Sequence, residues 1–327
     1  LHFLMNKVRN LLKNFIVIFI STLLGILFCE LILRVKHHYV IDYDIEMWKY
    51  AKKLKIKVDN KKINHIHIKN KSARLQNVEI TINNYGQRDI NYNKTLLDNY
   101  EKRFLILGSS IALGWGVEND KTFISYLNKK ANDEGKKWIF INGGVGNYNT
   151  QRYINNYFEN WSKLGFSDII VHFFVNDTEV IKETKQNFFL THTHLGVVIW
   201  KLLNSYISSF EQEKLKDYYK ERYEDNYLGF QTAKKELKRL KKHCKTNELN
   251  CYIVLMPDIH KLNPYELSFI NEKVKKLSNE LGLPFLDLLK SFVEIEEQKI
   301  WNKYNDPHPN EFGHTLIGKS IFSFLSK

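Results

Sequence analysis

Apolar and polar positions along this chain fall into three regimes. The first is an uncharged apolar run from Phe15 to Cys29, interrupted by Glu30 and resumed at Leu31 to Leu33. It is apolar on every face, so it does not read as an amphipathic helix. As a helix the 19 residues from Phe15 to Leu33 rise about 28 Å, close to the hydrocarbon thickness of a bilayer, and predict one transmembrane helix. The second regime, Val40 to about Lys94, is polar and mixed. It has a helical pattern around Ile45 to Leu54 and a period-two strand pattern in VEITIN, residues 78 to 83. In the third, from Arg103 onward, short apolar runs alternate with helical patterns, which predicts a parallel sheet with helices on its faces. The predicted strands are Arg103 to Leu107, Trp138 to Asn142, Asp168 to Phe174, Cys251 to Met256 and Pro284 to Leu286. The predicted helices are Phe123 to Asn132, Thr150 to Trp161, Ala233 to Cys244 and Pro264 to Leu281.

These regimes give a division into a membrane anchor at 1–36, a lead-in segment at 37–94 and a main domain at 95–327, with a helical insertion at about 178–232. The insertion carries the apolar stretch FFLTHTHLGVVIWKLLNSYISSF, read as a lid, a second membrane-contacting surface or, preferentially, a segment packed onto the domain. Lys7, Arg9 and Lys13 precede the apolar run, and Arg34 and Lys36 follow it. That small bias places the N-terminus inside, with a single pass through the cytoplasmic membrane and the main domain outside the cytoplasm. No small-x-small cleavage site follows the run, so an uncleaved anchor is expected rather than a removed signal peptide. Glu30 falls in the last turn of the span, where it can reach the interface or pair with Arg34. In a non-cytoplasmic compartment Cys244 and Cys251, which flank the polar loop KTNELN, have the setting for a disulfide. Their spacing alone leaves pairing open.

Charge changes the picture little. The formal net charge is +13, but the excess is lysine spread along the chain, as on a solvated surface. With no zinc-finger spacing, RNA-binding signature or basic aromatic helix, no nucleic-acid partner is expected. Hydrophobic content of 43% excludes global disorder.

Four stretches carry chemistry. FLILGSSIALGWGV, from Phe104, runs a buried strand into Gly108-Ser109-Ser110 and a helix start. This places Ser110 at the carboxyl end of a strand, where open α/β sheets keep their sites. INGGVGNYNT (141–150) is a glycine-rich segment after a predicted strand. HFFVNDT (172–178) ends another strand with Asn176 and Asp177. NDPHPNEFGH (305–314) presents Asp306 and His308 in a proline-stiffened loop. Each has a plain structural explanation as a turn or helix cap. Together, at successive strand ends, they are the parts of a serine acyl-transfer site: nucleophile, base with orienting carboxylate, and neutral oxyanion donors.

In these blocks the chain resembles the SGNH, or GDSL, hydrolase superfamily from about Asn83 to its end. The first block reads Gly108-Ser109-Ser110, with Gly114 to Val117 behind it. The third matches Asn176-Asp177, and the fifth Asp306-Pro307-His308-Pro309-Asn310 with Gly313-His314. The lead-in Asn83-x-x-Gly86-x-Arg88 and an anchor ending in Glu-x-x-x-Arg are similar to a membrane-anchored subgroup. The resemblance implies a flavodoxin-like three-layer sandwich with a central parallel sheet. It also implies Ser110 as nucleophile, His308 as base and Asp306 as its orienting acid, with the oxyanion held by the Ser110 N–H, the Asn176 amide and a backbone N–H of the second block at Asn147. Three departures stand out. Ser109 replaces the usual aspartate, Asn147 falls where the family has glycine, and Asn305, three residues before His308, competes with Asp306 for the acid position.

The expected function is a serine esterase or O-acyltransferase acting through an acyl-enzyme on O-acyl groups, acetyl above all, of a cell-envelope carbohydrate. The alternative is a catalytically silent glycan-binding or assembly protein with the same fold. No cofactor or metal is expected. The glycine-rich loops lack the lysine of a phosphate loop, and the pairs His65-x-His67 and His192-x-His194 have no third ligand in sequence and read as surface or packing residues.

Overall fold

A computed structural model describes residues 2–181, 188–209, 215–303 and 306–327. Two compact units divide the chain, Leu1–Lys49 with Lys185–Gln212 and Tyr50–Thr184 with Glu213–Lys327.

The first unit contains α1 (His2–Tyr39), most of α2 (Tyr43–Leu54), α7 (Phe188–His192) and α8 (His194–Ser209). From Met5 to Tyr39, α1 is long and apolar enough to cross a membrane, and its apolar side chains are exposed. The sequence reading favoured packing of the insertion onto the main domain. The described insertion divides: α7 and α8 belong to the unit of α1, whereas residues 215–232 belong to the second unit, where Tyr219, Tyr223 and Phe230 are buried in its core.

The second unit is built on a five-stranded sheet. Its strands are β5 (Lys102–Gly108), β6 (Trp138–Gly144), β7 (Asp168–Phe174), β8 (Asn250–Met256) and β9 (Phe285–Asp287), all parallel, in the order β6-β5-β7-β8-β9. In order of appearance this is the 2-1-3-4-5 arrangement of flavodoxin-like sheets, whose switch point lies beside the first strand, here β5. Before the sheet come the lead-in strands β1 (Lys55–Lys57), β2 (His65–His67), β3 (Lys71–Leu75) and β4 (Val78–Ile82), paired as two antiparallel ribbons, and α3 (Lys94–Asp98).

Strand residues alternate between two cores, so the sheet is buried on both faces as parallel sheets require. Leu105, Leu107, Ile141 and Val171 face a core shared with Tyr153 and Ile154 of α6 (Thr150–Asn156), Leu237 and Leu240 of α10 (Leu228–Thr246), and Ile270 and Val274 of α11 (Ser268–Leu281). Phe104, Ile106, Phe140, Ile170 and Val254 face the other, with Ile111 of α4 (Ser110–Leu113), Phe123 and Leu127 of α5 (Phe123–Asp133), and Ile317 and Ile321 of α12 (Glu311–Leu325). Phe104 stacks on Phe140 with ring centroids 4.4 Å apart. The result is the three-layer α/β/α sandwich expected from the alternation of apolar runs. A short helix, α9 (Leu215–Arg222), precedes α10.

Three local expectations are corrected. The helix from Thr150 is α-helical only to Asn156 and continues as a π-turn, Tyr157–Trp161, in which Trp161 is buried and donates to the Tyr85 carbonyl. Residues 264–267 form turns, and α11 begins at Ser268. The segment carrying Asp306 and His308 is not a loop but β11 (Asp306–Pro309), paired antiparallel with β10 (Trp301–Lys303). The ladder tolerates Pro307 and Pro309 because it has only two strands.

Cys244, at the end of α10, is bonded to Cys251 in β8, with their Cα atoms 6.4 Å apart, and Cys29 is free and exposed. Alkylation of the unreduced full-length protein followed by peptide mass mapping is expected to modify Cys29 alone. Replacing both Cys244 and Cys251 by serine is expected to cost about 2 kcal/mol in denaturant unfolding, the loop-closure entropy of so short a ring. Alkylation at all three positions would contradict the bond.

Candidate active site

The ends of β5 and β6 lie level, with Gly108 opposite Gly144, and Gly108 also lies opposite His172, two residues before the end of β7, in the parallel register. Ser110, Asn147 and Asn176 therefore leave the sheet at its carboxyl edge from three adjacent strands, a few residues past the last paired position of each.

At β5 the chain turns at once into α4. Ser109 occupies the N-cap position of that turn, but its hydroxyl makes no capping bond. Gly144 is what lets α4 lie here, since a Cβ on it would stand 2.2 Å from the Leu113 nitrogen and 2.5 Å from the Ala112 carbonyl carbon. The far end of the turn is tied from below by Arg88. This buried guanidinium donates to the carbonyls of Leu113 (3.0 Å), Gly114 and Val117 (2.7 Å). The lead-in motif aims it: Asn83 Oδ1 accepts the N–H groups of Tyr85 and Gln87, closing the turn that precedes Arg88.

Ser110 Oγ lies 2.8 Å from His308 Nε2, and His308 Nδ1 lies 2.6 Å from Asp306 Oδ1. A carboxylate only accepts, so Nδ1 carries the proton and Nε2 is left to accept from the serine hydroxyl. Asp306 and His308 are two apart on β11, and their side chains therefore leave the strand on the same face. The β10–β11 pairing sets that face, and Asn310 fixes its far end. It caps α12 through the Gly313 N–H and donates to the carbonyls of Lys299 and Trp301. Burial acts to raise the Asp306 carboxyl, but hydrogen bonds above all from His308, and from Asn302, outweigh it and hold the group below the usual carboxylate range. Asn305, the competing acid position, lies outside the described residues.

Asn147 takes a φ of +65°, the left-handed conformation for which glycine is the usual residue and which asparagine tolerates better than most. A polar scaffold from the lead-in holds the loop on either side. The Gly146 N–H donates to Tyr50 Oη (3.0 Å), whose hydroxyl donates to His67 Nε2 (2.5 Å), while His67 Nδ1 donates to the Gly86 carbonyl (2.9 Å). The Gly146 carbonyl accepts from Lys55 Nζ (2.8 Å) and His65 Nε2 (3.1 Å), and that of Asn147 from Arg152 (2.8 Å). His65 and His67, read from the sequence as surface or packing residues, are both buried, and burial keeps His67 neutral, pushed down to about 3. Burial, with Arg152 nearby, also pushes Lys55 down to about 7.

Asn176 follows β7 half-buried, and its Oδ1 accepts no hydrogen bond from the described residues. Beside it, Asp177 is buried. Its Oδ2 accepts from Tyr153 (2.7 Å) and Thr150 (3.4 Å), and burial pushes its carboxyl up to about 8. Of the second histidine pair, His192 is exposed and His194 opens α8. Among the described residues no group of three or more His, Cys, Asp or Glu side chains is placed to hold a metal ion.

Sequence reasoning missed the residues that hold these groups in place. Asn302 donates to Asp306 Oδ2 (3.4 Å) and fills the space over Gly116, where a Cβ would stand 1.9 Å from its Nδ2. Tyr50 and Lys55 belong to no motif. A second Asp-x-His pair, Asp258 and His260, follows β8 with 2.7 Å between carboxylate and ring, and repeats the spacing of Asp306 and His308.

No protein-family model matches the chain. No curated protein matches it either. Among solved structures, one assigned to the G-D-S-L lipolytic family from Desulfitobacterium hafniense DCB-2 is similar at 10% identity, over 68% of this chain and 99% of its own, with a TM-score of 0.45. A variant of an acetyl-xylooligosaccharide esterase from Geobacillus Stearmophilus is similar at 12% identity, over 70% of this chain and 96% of its own, with a TM-score of 0.46. A two-domain esterase active on acetylated mannans is similar at 15% identity, over 71% of this chain and 50% of its own, with a TM-score of 0.44. The blocks quoted from the sequence fall at the carboxyl ends of β5, β6 and β7 and on β11.

Asp177 gives a pH test of the site's electrostatics. Its folded-state pKa of about 8 lies far above the value of about 3.9 for an unfolded aspartate. The native state therefore holds a proton that the unfolded state releases, and stability falls as pH rises through that window. Melting temperatures measured across pH 5 to 8 by differential scanning fluorimetry should fall more steeply for the wild type than for Asp177→Asn. Parallel profiles would contradict a protonated Asp177.

Proposed function

We propose that this chain is a membrane-anchored SGNH-type serine esterase or O-acyltransferase. In this reading α1 is the anchor, the domain lies outside the cytoplasm, and the substrate is an O-acyl, preferentially O-acetyl, group on a cell-envelope carbohydrate. The observation that carries the chemistry is the chain Ser110 Oγ to His308 Nε2 to Asp306, at 2.8 and 2.6 Å. Support for the anchor is the length and apolarity of α1.

On this reading Ser110 Oγ attacks the ester carbonyl carbon as its proton passes to His308 Nε2. Asp306 holds the imidazole tautomer and stabilises the imidazolium. The oxyanion is met by the N–H groups of Ser110 and Asn147 and the Asn176 amide. A protonated Asp177 behind Asn176 keeps negative charge away from it. When the tetrahedral intermediate collapses, the ester C–O bond breaks and the leaving sugar hydroxyl takes the proton from His308, giving an acyl-Ser110. Water or a second sugar hydroxyl, deprotonated by His308, then attacks the acyl carbon and frees Ser110.

Lys55 has a place in this scheme. The Gly146 carbonyl and the Asn147 N–H belong to one peptide plane, so an ammonium on the carbonyl both fixes that plane and polarises its N–H toward the oxyanion. The left-handed conformation of Asn147 supports this reading, since it is the backbone shape that glycine would take at this position.

The test is product analysis with an acetylated oligosaccharide and the purified full-length protein, with and without an acceptor sugar. Free acetate indicates an esterase, acetyl on the acceptor a transferase, and neither product contradicts the proposal. Ser110→Ala and His308→Ala are each expected to lower turnover at least about a thousandfold. Lys55→Met is expected to lower kcat about tenfold at pH 6 with KM unchanged, and Lys55→Arg to restore most of it. Lysine loses its charge as pH rises through about 7. The ratio of wild-type to Lys55→Met rates should therefore shrink toward pH 9, and a pH-independent ratio would remove Lys55 from the mechanism.

A further inference from the structure

Within the unit of α1, the one acid of the apolar span is not directed at solvent. Glu30 Oε1 accepts the backbone N–H of His194 (3.0 Å) and Oε2 that of Leu195 (2.8 Å), the first two residues of α8. Arg34 completes the junction by pairing with Glu30 (2.7 Å) and donating to the His192 carbonyl (2.9 Å). A carboxylate from α1 thus caps the start of α8, where free N–H groups and the helix dipole favour negative charge.

One side of α8 is occupied inside the unit. Val197 is buried, Trp200 meets Trp48 edge to face at 5.9 Å, and Lys201 pairs with Asp44 at 2.6 Å. The other side is apolar and uncovered. Ile199, Leu202 and Leu203 follow helical spacing and are exposed at 48%, 63% and 58%, and Phe188 and Phe189 of α7 are exposed at 67% and 66%. This apolar surface adjoins that of α1, because α8 starts where Glu30 leaves the span. The 16 residues of α8 rise about 24 Å, too short to cross about 30 Å of hydrocarbon, and Lys201 sits midway along it. The two tryptophans are of the type that gathers at the level of lipid headgroups.

We propose that α7 and α8 form an interfacial membrane helix pair, clamped by Glu30 to the end of the span, with Phe188, Phe189, Ile199, Leu202 and Leu203 in contact with lipid. The occupant of the exposed face is the bilayer. This inference rests on the reading of α1 as a membrane anchor. A second, lipid-bound contact beside the span restrains the tilt and rotation of the chain where it leaves the membrane.

The test uses the full-length chain with Cys29→Ser and one new cysteine carrying an environment-sensitive fluorophore. The protein is placed in phosphatidylcholine–phosphatidylglycerol vesicles whose acyl chains bear doxyl quenchers near their headgroup end. Leu24→Cys reports the span, Leu203→Cys the α8 face and Lys319→Cys, on α12, the solvent. Quenching at Leu203 amounting to roughly half or more of that at Leu24 is expected for a helix about 5–10 Å into the interface, with none at Lys319. Quenching at Leu24 without quenching at Leu203 overturns the inference and leaves the anchor standing. A blue-shifted but unquenched Leu203 overturns it in favour of a protein partner or second copy. No quenching at either position overturns both. Adding Glu30→Ala is expected to raise amide exchange at His194 and Leu195 about tenfold and to reduce quenching at Leu203 but not at Leu24. Unchanged exchange and quenching would overturn the clamp.

Discussion

The turn after β5 lies so close to β6 that position 144 has room for a hydrogen and nothing larger. That approach decides where Ser110 stands. Parallel pairing brings Gly108 level with Gly144, the four-residue α4 drops onto β6, and Arg88 holds the carbonyls at its far end. A serine on so short a helix has little stiffness of its own. Its position is imposed by β6 and by the buried Arg88, restraints that fix a side chain in advance of any ligand.

The same logic makes sense of the lead-in segment. It brings no predicted catalytic group, yet it supplies Arg88 beneath α4, and Tyr50, Lys55, His65 and His67 around the Gly146 peptide. Asn147 keeps a backbone shape natural to glycine because both neighbouring peptides are gripped. A polar layer of this kind is stable only when its donors and acceptors are matched. The run from Gly146 through Tyr50 and His67 to Gly86 meets that condition, each group using its hydrogen or lone pair on the next.

Much of this was legible in the residues. The buried strands show as apolar runs, and Ser110, Asp306 and His308 stand in short blocks at strand ends, where the structure brings their side chains into one hydrogen-bonded line. What could not be read depends on contacts between segments distant in sequence. Asn302 and Lys55 look like ordinary polar surface residues, because nothing local marks the carboxylate or carbonyl each will meet. The β10–β11 hairpin reads as a loop, since two prolines hide a ladder of only two strands. Glu30 reads as an acid near a membrane interface, and only the folded chain shows that it caps a helix more than 160 residues away. The end of α6 departs from helical prediction for a related reason, with the π-turn letting Trp161 reach the Tyr85 carbonyl.

Two kinds of restraint therefore converge on the candidate site, close packing at Gly144 and a matched polar layer beneath the second block. Both serve the claim that Ser110 is a nucleophile activated by His308. Treatment of the full-length protein with a fluorophosphonate probe, followed by peptide mass mapping, tests that claim most directly. A single adduct on Ser110, absent after Ser110→Ala and after His308→Ala, is the predicted result. An unmodified wild-type protein under conditions where a serine esterase reacts, or an adduct on Ser109 instead, would contradict it.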